Sequence, residues 1–184
     1  MAIEESSVIA AACKAAKFWR ERGGFKTTFL NFKKTGQVHF IFKGEKKKLF
    51  DFFKNLKPLL YKECEEISSN MTKRRGGIID IELIDKTTDI PNYYQLNATF
   101  DTVDSMGANF INSSLEQFAK TLIKESNLNS TFSKKEKNIE VIMSILSNYV
   151  PECLVRAEVS CSIEELSEDK EFNGNKFAQK FFQA

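Results

Sequence analysis

The spacing of apolar residues in this chain predicts an α+β domain built on an antiparallel sheet. Three observations carry the prediction. Tyr94, Leu96, Ala98 and Phe100 alternate with Gln95, Asn97, Thr99 and Asp101, the two-residue period of a strand with one wet face. Ile111, Leu115, Phe118 and Leu122 then recur at helical spacing, so an amphipathic helix follows. Between them lies Asp104-Ser105-Met106-Gly107-Ala108-Asn109, a short turn holding one glycine. Strand, turn and helix start make an anion cradle, because the first helical N–H groups lack internal partners and the dipole favours negative charge there. Glycine at position 107 lets a ligand approach the backbone.

Composition narrows the function classes. A chain of 184 residues suits one to two domains and can bury a real core. Hydrophobic content of 42% with mixed charge describes a soluble globular chain. A net charge of +2 is too small to argue for nucleic acid. Cys13, Cys64, Cys153 and Cys161 are dispersed without a C-x-x-C pair, which reads as free thiols in a reducing cytoplasm. With a single histidine, this pattern argues against a structural zinc site, and no metal is expected. No apolar run of about 18 residues or more predicts a membrane span. The acidic first residues do not form a signal peptide.

The elements follow in order. Glu4-Glu5-Ser6-Ser7 precedes an alanine-rich run from Val8 to Trp19, so the serines cap a helix whose start favours acidic groups. Gly23-Gly24 ends it. Phe25 to Asn31 and Gln37 to Phe42 read as two strands around a Lys33-Lys34-Thr35-Gly36 turn. His39 lies in this alternation as a packed or surface strand residue. Glu45 to Asn70 is helical through Leu49, Phe50, Phe53, Leu56, Leu60, Cys64 and Ile67, and Pro58 predicts a kink or two shorter helices. Lys46-Lys47-Lys48 reads as a solvated face. Arg74-Arg75-Gly76-Gly77 forms a loop before a strand over Ile78 to Ile84, and a hairpin over Asp85 to Asn92 leads to the strand beginning at Tyr94. Ser126 to Asn138 reads as an exposed polar loop, and Glu140 to Leu146 as a strand ended by Ser147-Asn148-Tyr149-Val150-Pro151. Ser162-Ile163-Glu164-Glu165 has the capping-box pattern of a short helix, and Phe177, Phe181 and Phe182 form one stripe on a last helix. From about Lys26 to Leu146 the order is strand, helix, strand, strand, helix, strand. This is the split βαβ, ferredoxin-like order, with helices on one face of the sheet.

Four segments carry a family resemblance. Asp104, Met106, Gly107 and Asn109 fill the specified positions of a D-x-M-G-x-N pattern, and Ala108 and Asn112 match it further. Glu4 to Lys17 resembles E-E-P-S-V-V-A-A-A-S-x-A-A-K, with Ser6 in place of the proline and Cys13 in place of the later serine. Gly76 to Leu83 is similar to G-G-G-x-x-D-I-E-V, with Ile78 replacing the third glycine. Ile145 to Asn148 resembles the start of I-L-S-N-L, and Arg156 to Val159 resembles R-A-x-V. In this order the four resemble the hydroxymethylglutaryl-CoA (HMG-CoA) reductases in their class II, bacterial form.

The resemblance implies a fold, a reaction and a set of residues. Residues 1–25 match a stub of a large substrate-binding domain, 26–150 a small NAD(P)-binding domain, and 151–184 a return into the large domain. The implied reaction reduces HMG-CoA to mevalonate by two hydride transfers from NAD(P)H, or runs in reverse. Glu5 falls on the catalytic glutamate and Ser7 on a serine that contacts the acyl substrate. Asp104, Met106, Gly107, Asn109 and Asn148 fall on cofactor contacts, and NAD or NADP is the implied cofactor. Lys73, Arg74 and Arg75 are candidates for a 2′-phosphate. The family's lysine and aspartate belong to a T-H-N-K-G…G-N-D stretch, with a histidine further on, and these 184 residues do not contain it. Turnover by this chain alone is therefore not expected. A homodimer or higher homo-oligomer is implied, with no nucleic acid and no membrane. The alternative from another class is a non-catalytic ferredoxin-like module for RNA or a ligand. It predicts stacking aromatics on the open sheet face, with Phe40 and Phe42 as candidates.

Overall fold

The computed structural model describes residues 5–167 and 171–183. Its elements are α1 (Ser6–Arg20), β1 (Lys26–Ile41), α2 (Lys46–Glu63), α3 (Glu65–Lys73), β2 (Gly77–Asp85), β3 (Tyr93–Asp101), α4 (Ala108–Leu128), α5 (Lys134–Lys137), β4 (Glu140–Leu146), β5 (Cys153–Glu158) and α6 (Gly174–Gln183), with a 3-10 turn at Glu164–Leu166. The chain divides into two compact units, Asn31–Leu154 and the segments up to Leu30 and from Val155. Among the described residues, no helix is long and apolar enough to cross a membrane.

The larger unit holds an antiparallel sheet with strand order β2-β3-β1-β4. Alternation sorts its side chains. Val38, Phe40, Leu96, Ala98 and Phe100 are fully buried, together with Leu49, Leu56 and Leu60 of α2 and Ile111, Leu115, Phe118 and Leu122 of α4. Helices α2 and α4 thus share one apolar core with one face of the sheet. The other face carries polar partners: Gln37 Nε2 donates to Asn97 Oδ1 at 3.0 Å, and His39 Nδ1 meets the Tyr93 hydroxyl at 2.5 Å. Partial burial lowers the pKa of the His39 imidazole. Phe40 and Phe42 lie wholly within the core, so the aromatics assigned to the open face of an RNA-binding module are not there.

Three expectations change. The Lys33–Gly36 stretch is not a turn; β1 runs through it, pairing Lys33 with Asp101 and Gly36 with Ala98. Gly36 is needed for a close approach, since a Cβ there would meet Leu115 Cδ1 at 2.6 Å and Ile111 Cγ2 at 3.1 Å. Both lysines have partners, with Lys33 Nζ 3.0 Å from Glu152 Oε2 in an exposed ion pair and Lys34 Nζ 2.8 Å from Thr102 Oγ1. Second, two helices do form between 46 and 73, but α2 continues through Pro58 and the break falls at Cys64. The buried stripe of α2 uses Phe52, with Phe50 and Phe53 only partly covered. Cys64 is fully buried and its thiol pKa is pushed up to about 12 by that burial, whereas Cys13 and Cys153 are exposed; all four thiols are free.

Third, Ser126 to Asn138 is not an exposed loop. Helix α4 extends to Leu128, Phe132 is buried against Phe42 and Phe52, and α5 opens with a capping box. In that box the Ser133 N–H donates to Glu136 Oε2 at 2.8 Å, and the Glu136 N–H donates back to Ser133 Oγ at 3.4 Å. Lys48 Nζ of α2 lies 3.2 Å from Glu136 Oε1, so the box also fastens α5 to α2.

In the smaller unit, α1 has no buried residue and ends where the Gly24 N–H returns to Trp19 O at 2.8 Å. Arg22 stacks over the Phe18 ring at 3.8 Å and its Nε donates to Glu165 O at 2.7 Å, tying the end of α1 to the 3-10 turn. The predicted capping box forms only in part: the Ser162 N–H and hydroxyl both donate to Glu165 Oε2, at 2.9 and 3.0 Å, but no side chain caps the 3-10 turn. Phe181 and Phe182 of α6 are 74% and 89% exposed.

Glu136 yields a pH test. The Ser133 hydrogen bonds, backbone N–H first, hold its carboxyl at about 2, against an ordinary value of 4.5. A folded-state pKa below the unfolded one stabilises the protein above about pH 4.5, and that stabilisation is lost as pH falls towards 2. Glu136→Gln is expected to lower the thermal midpoint at pH 7 and to converge on the parent as pH drops through that window. Circular dichroism melts across the window read this; a pH-independent gap would contradict it.

Candidate functional site

The site is built where β3 ends and α4 begins. Thr102 follows the last residue of β3 and is fully buried. Its hydroxyl donates to Ser105 O at 2.7 Å, while Ser105 Oγ donates to Thr102 O at 2.7 Å. Asp101 Oδ1 accepts the Val103 N–H at 2.7 Å. These bonds close the chain into a tight turn from 101 to 107. Helix α4 then opens with Gly107 as its N-cap, φ +71°, and no side chain caps it. The first bond of the helix runs from the Ile111 N–H to Gly107 O at 2.9 Å, which leaves the N–H groups of Ala108, Asn109 and Phe110 without an intrahelical acceptor.

The turn sits at the strand-to-helix junction that the sequence predicts, and it gathers several of the predicted residues. Met106, Asn109 and Asp104 are exposed around it. Asp104 does not cap the helix; its Oδ1 is ion-paired to Arg74 Nη2 from the loop before β2. Gly77 pairs with Asp101 across β2 and β3, so that loop and the turn lie at the same end of the sheet. Asn112, one turn into α4, accepts the Leu146 N–H at 2.9 Å, and the Ser147 N–H donates to Thr35 O at 2.9 Å. These bonds anchor the segment that carries the exposed Asn148. Glu5 and Ser7 belong to the other unit, where the Ser7 hydroxyl donates to Glu5 Oε1 at 2.6 Å.

Two features were not read from the sequence. Gly107 has an inward reason to be glycine, because a Cβ there would lie 2.2 Å from Thr102 Cγ2 and 2.6 Å from Thr102 Cβ. Lys34 reaches the turn from β1, with Nζ 2.8 Å from Thr102 Oγ1. The signal for Lys34 was parity. It shares the alternation of Gly36, Val38 and Phe40, which places it on the helix side of the sheet, where an ammonium must find acceptors.

The model of the hydroxymethylglutaryl-coenzyme A reductase family matches residues 1–184. The chain belongs to that family. Among curated reductases it is 27% identical over 184 residues to the 3-hydroxy-3-methylglutaryl-coenzyme A reductase of Archaeoglobus fulgidus, covering 98% of this chain and 39% of that protein. It is 29% identical over 175 residues to a probable reductase of Borreliella burgdorferi, covering 95% of this chain and 37% of the relative. The chain thus spans about two fifths of the length of these relatives. Among solved structures it resembles the 3-hydroxy-3-methylglutaryl-coenzyme A reductase of Streptococcus pneumoniae, with TM-score 0.72 and 29% identity over 97% of this chain and 45% of that one. It also resembles the class II Streptococcus pneumoniae enzyme bound to NADPH in open conformations, with TM-score 0.71 and 28% identity over 97% of this chain and 40% of that one.

In this member of the reductase family the Gly107 turn tolerates no side chain. Gly107→Ala places an L-residue in the left-handed region, which costs about 1–2 kcal/mol before the contact with Thr102 is counted. Urea unfolding is expected to show at least that loss, while an alanine variant as stable as the parent would mean that the turn can relax.

Proposed function

We propose that this chain is the dinucleotide-binding part of an HMG-CoA reductase, serving hydride transfer between NAD(P)H and the HMG-CoA/mevalonate pair. The observation that carries the reading is the Asp104–Asn109 turn opening α4 in a chain of this family. Its donor set suits a dinucleotide. Unpartnered N–H groups at the start of α4 receive phosphate oxygens, aided by the helix dipole. Asn109 and Asn148 offer amides, and the exposed Met106 offers apolar surface to a flat ring. Asp104 offers a carboxylate to ribose hydroxyls, and Arg74 beside it offers a guanidinium suited to a 2′-phosphate. When bound, the nicotinamide supplies the hydride. Glu5, with Ser7 bonded to it, is our candidate for the proton transfer that accompanies reduction of a thioester carbonyl, and Ser7 for the acyl contact.

The strand order β2-β3-β1-β4, with βαββαβ connectivity and α2 and α4 in one core, supports a ferredoxin-like reading of the larger unit. We read residues 26–150 as the small cofactor domain, and residues 1–25 and 151–184 as parts of a large substrate domain. A non-catalytic RNA-binding module is not favoured, because Phe40 and Phe42 are buried.

Asp104 separates binding from folding. Its side chain is 81% exposed and caps nothing, so losing its surface ion pair costs at most about 1 kcal/mol. Asp104→Ala is expected to change NADPH affinity, read by nucleotide fluorescence, with little change in the thermal midpoint. Unchanged affinity would remove Asp104 from the site. Self-association also belongs to this reading, since the exposed Phe181 and Phe182 need cover. Sedimentation velocity should show dimers or larger species at high concentration; a strict monomer would count against it.

A further inference from the structure

Lys34 lies outside every segment that carried the family resemblance, yet it holds the centre of the turn. Its Nζ donates to Thr102 Oγ1 at 2.8 Å, Ser105 O at 2.5 Å and Met106 O at 3.1 Å. An ammonium has three N–H donors, so each has an acceptor. All peptide bonds described are trans, and in a planar trans peptide the carbonyl and the following N–H point in opposite directions. Carbonyls of Ser105 and Met106 turned towards Lys34 therefore turn the N–H groups of Met106 and Gly107 away from it. Those two N–H groups stand next to the free N–H groups that open α4, and neither meets an acceptor among the described residues. The turn does not hold this shape by local preference. Val103 is a β-branched residue at φ +56°, a conformation that persists only where its surroundings impose it.

We propose that Lys34 is the positioning residue of the dinucleotide turn: by holding the Ser105 and Met106 carbonyls, it aims the Met106 and Gly107 N–H groups at the pyrophosphate. This rests on the dinucleotide reading given above and adds to it the residue that shapes the phosphate cradle. Lys34 acts through the backbone and does not itself touch the ligand. Its positive charge behind the cradle also favours an anion in front of it. Substituting arginine keeps the charge, but its planar fork cannot reproduce three converging bonds from one nitrogen.

The test is amide NMR of the full chain titrated with NADPH and, separately, with sodium pyrophosphate. In the parent, the Met106 and Gly107 amide signals are expected to shift with both. Lys34→Met is expected to weaken both titrations about tenfold, the size of one charge-assisted hydrogen bond from a misaimed cradle N–H to the phosphate, while signals of Leu96, Phe100 and Phe118 stay in place. Lys34→Arg is expected to fall between. A Lys34→Met variant that titrates like the parent overturns the role of Lys34 and leaves the dinucleotide reading standing. NADPH binding that moves other signals but not those of Met106 and Gly107 in the parent does the same, without requiring any variant to fold. No response of the parent to NADPH overturns the dinucleotide reading, and this proposal with it.

Discussion

The larger unit depends on one close approach, that of α4 to β1 across Gly36. Leu115 and Ile111 occupy the space a side chain at position 36 would need, so the helix sits directly on the strand. That contact fixes how far the helix start stands from the end of β3, and hence how tight the turn between them must be. It also sets the height of Asn112, which then reaches the Leu146 N–H and fastens β4 beside β1. A larger residue at 36 would lift α4, loosening the core, the turn and the β4 exit together. Packing and site geometry are therefore parts of one constraint.

Much of this was legible in the sequence, for a physical reason. β3 and α4 each bury one face, and their two-residue and helical periods are therefore written in Leu96, Ala98 and Phe100, and in Leu115, Phe118 and Leu122. The turn between them was legible because the period changes across Gly107. What could not be read depends on distant partners. Lys33-Lys34-Thr35-Gly36 has the composition of a turn, yet it is strand because Asp101 to Ala98 pair with it and because Lys34 finds acceptors 68 and more residues away. The polar stretch after Ser126 hides Phe132 and a carboxylate turned inward to its own helix start. Arg74 and Asp104 are 30 residues apart, and only the pairing of β2 with β3 brings them together. For Gly107 the residue was identified but its reason was incomplete, since Thr102 beneath it lies outside any local pattern.

The open face of the sheet follows a different logic from the core face. Its side chains bond one another across strands, Gln37 to Asn97 and His39 to Tyr93, with Gln95 Nε2 3.3 Å from His39 Nδ1. Such cross-strand pairs hold the register from the solvent side while the helices hold it from the other. The result is a sheet whose slippage by one residue would both bury amides and expose phenylalanines.

The strand order has a consequence for how the chain is made. β1 is central, but every strand that pairs with it comes later in the sequence. Gln37 and its partner Asn97 are 60 residues apart. At a synthesis rate of about 5–20 residues per second, β1 waits roughly 3–12 seconds on the ribosome for β3. During that interval its apolar face of Val38 and Phe40 lacks both neighbouring strands and α4. The β2–β3 hairpin, by contrast, closes as soon as its second strand emerges. Completion of this sheet therefore waits on β3, and for those seconds the nascent chain carries a strand whose apolar face lacks its sheet partners.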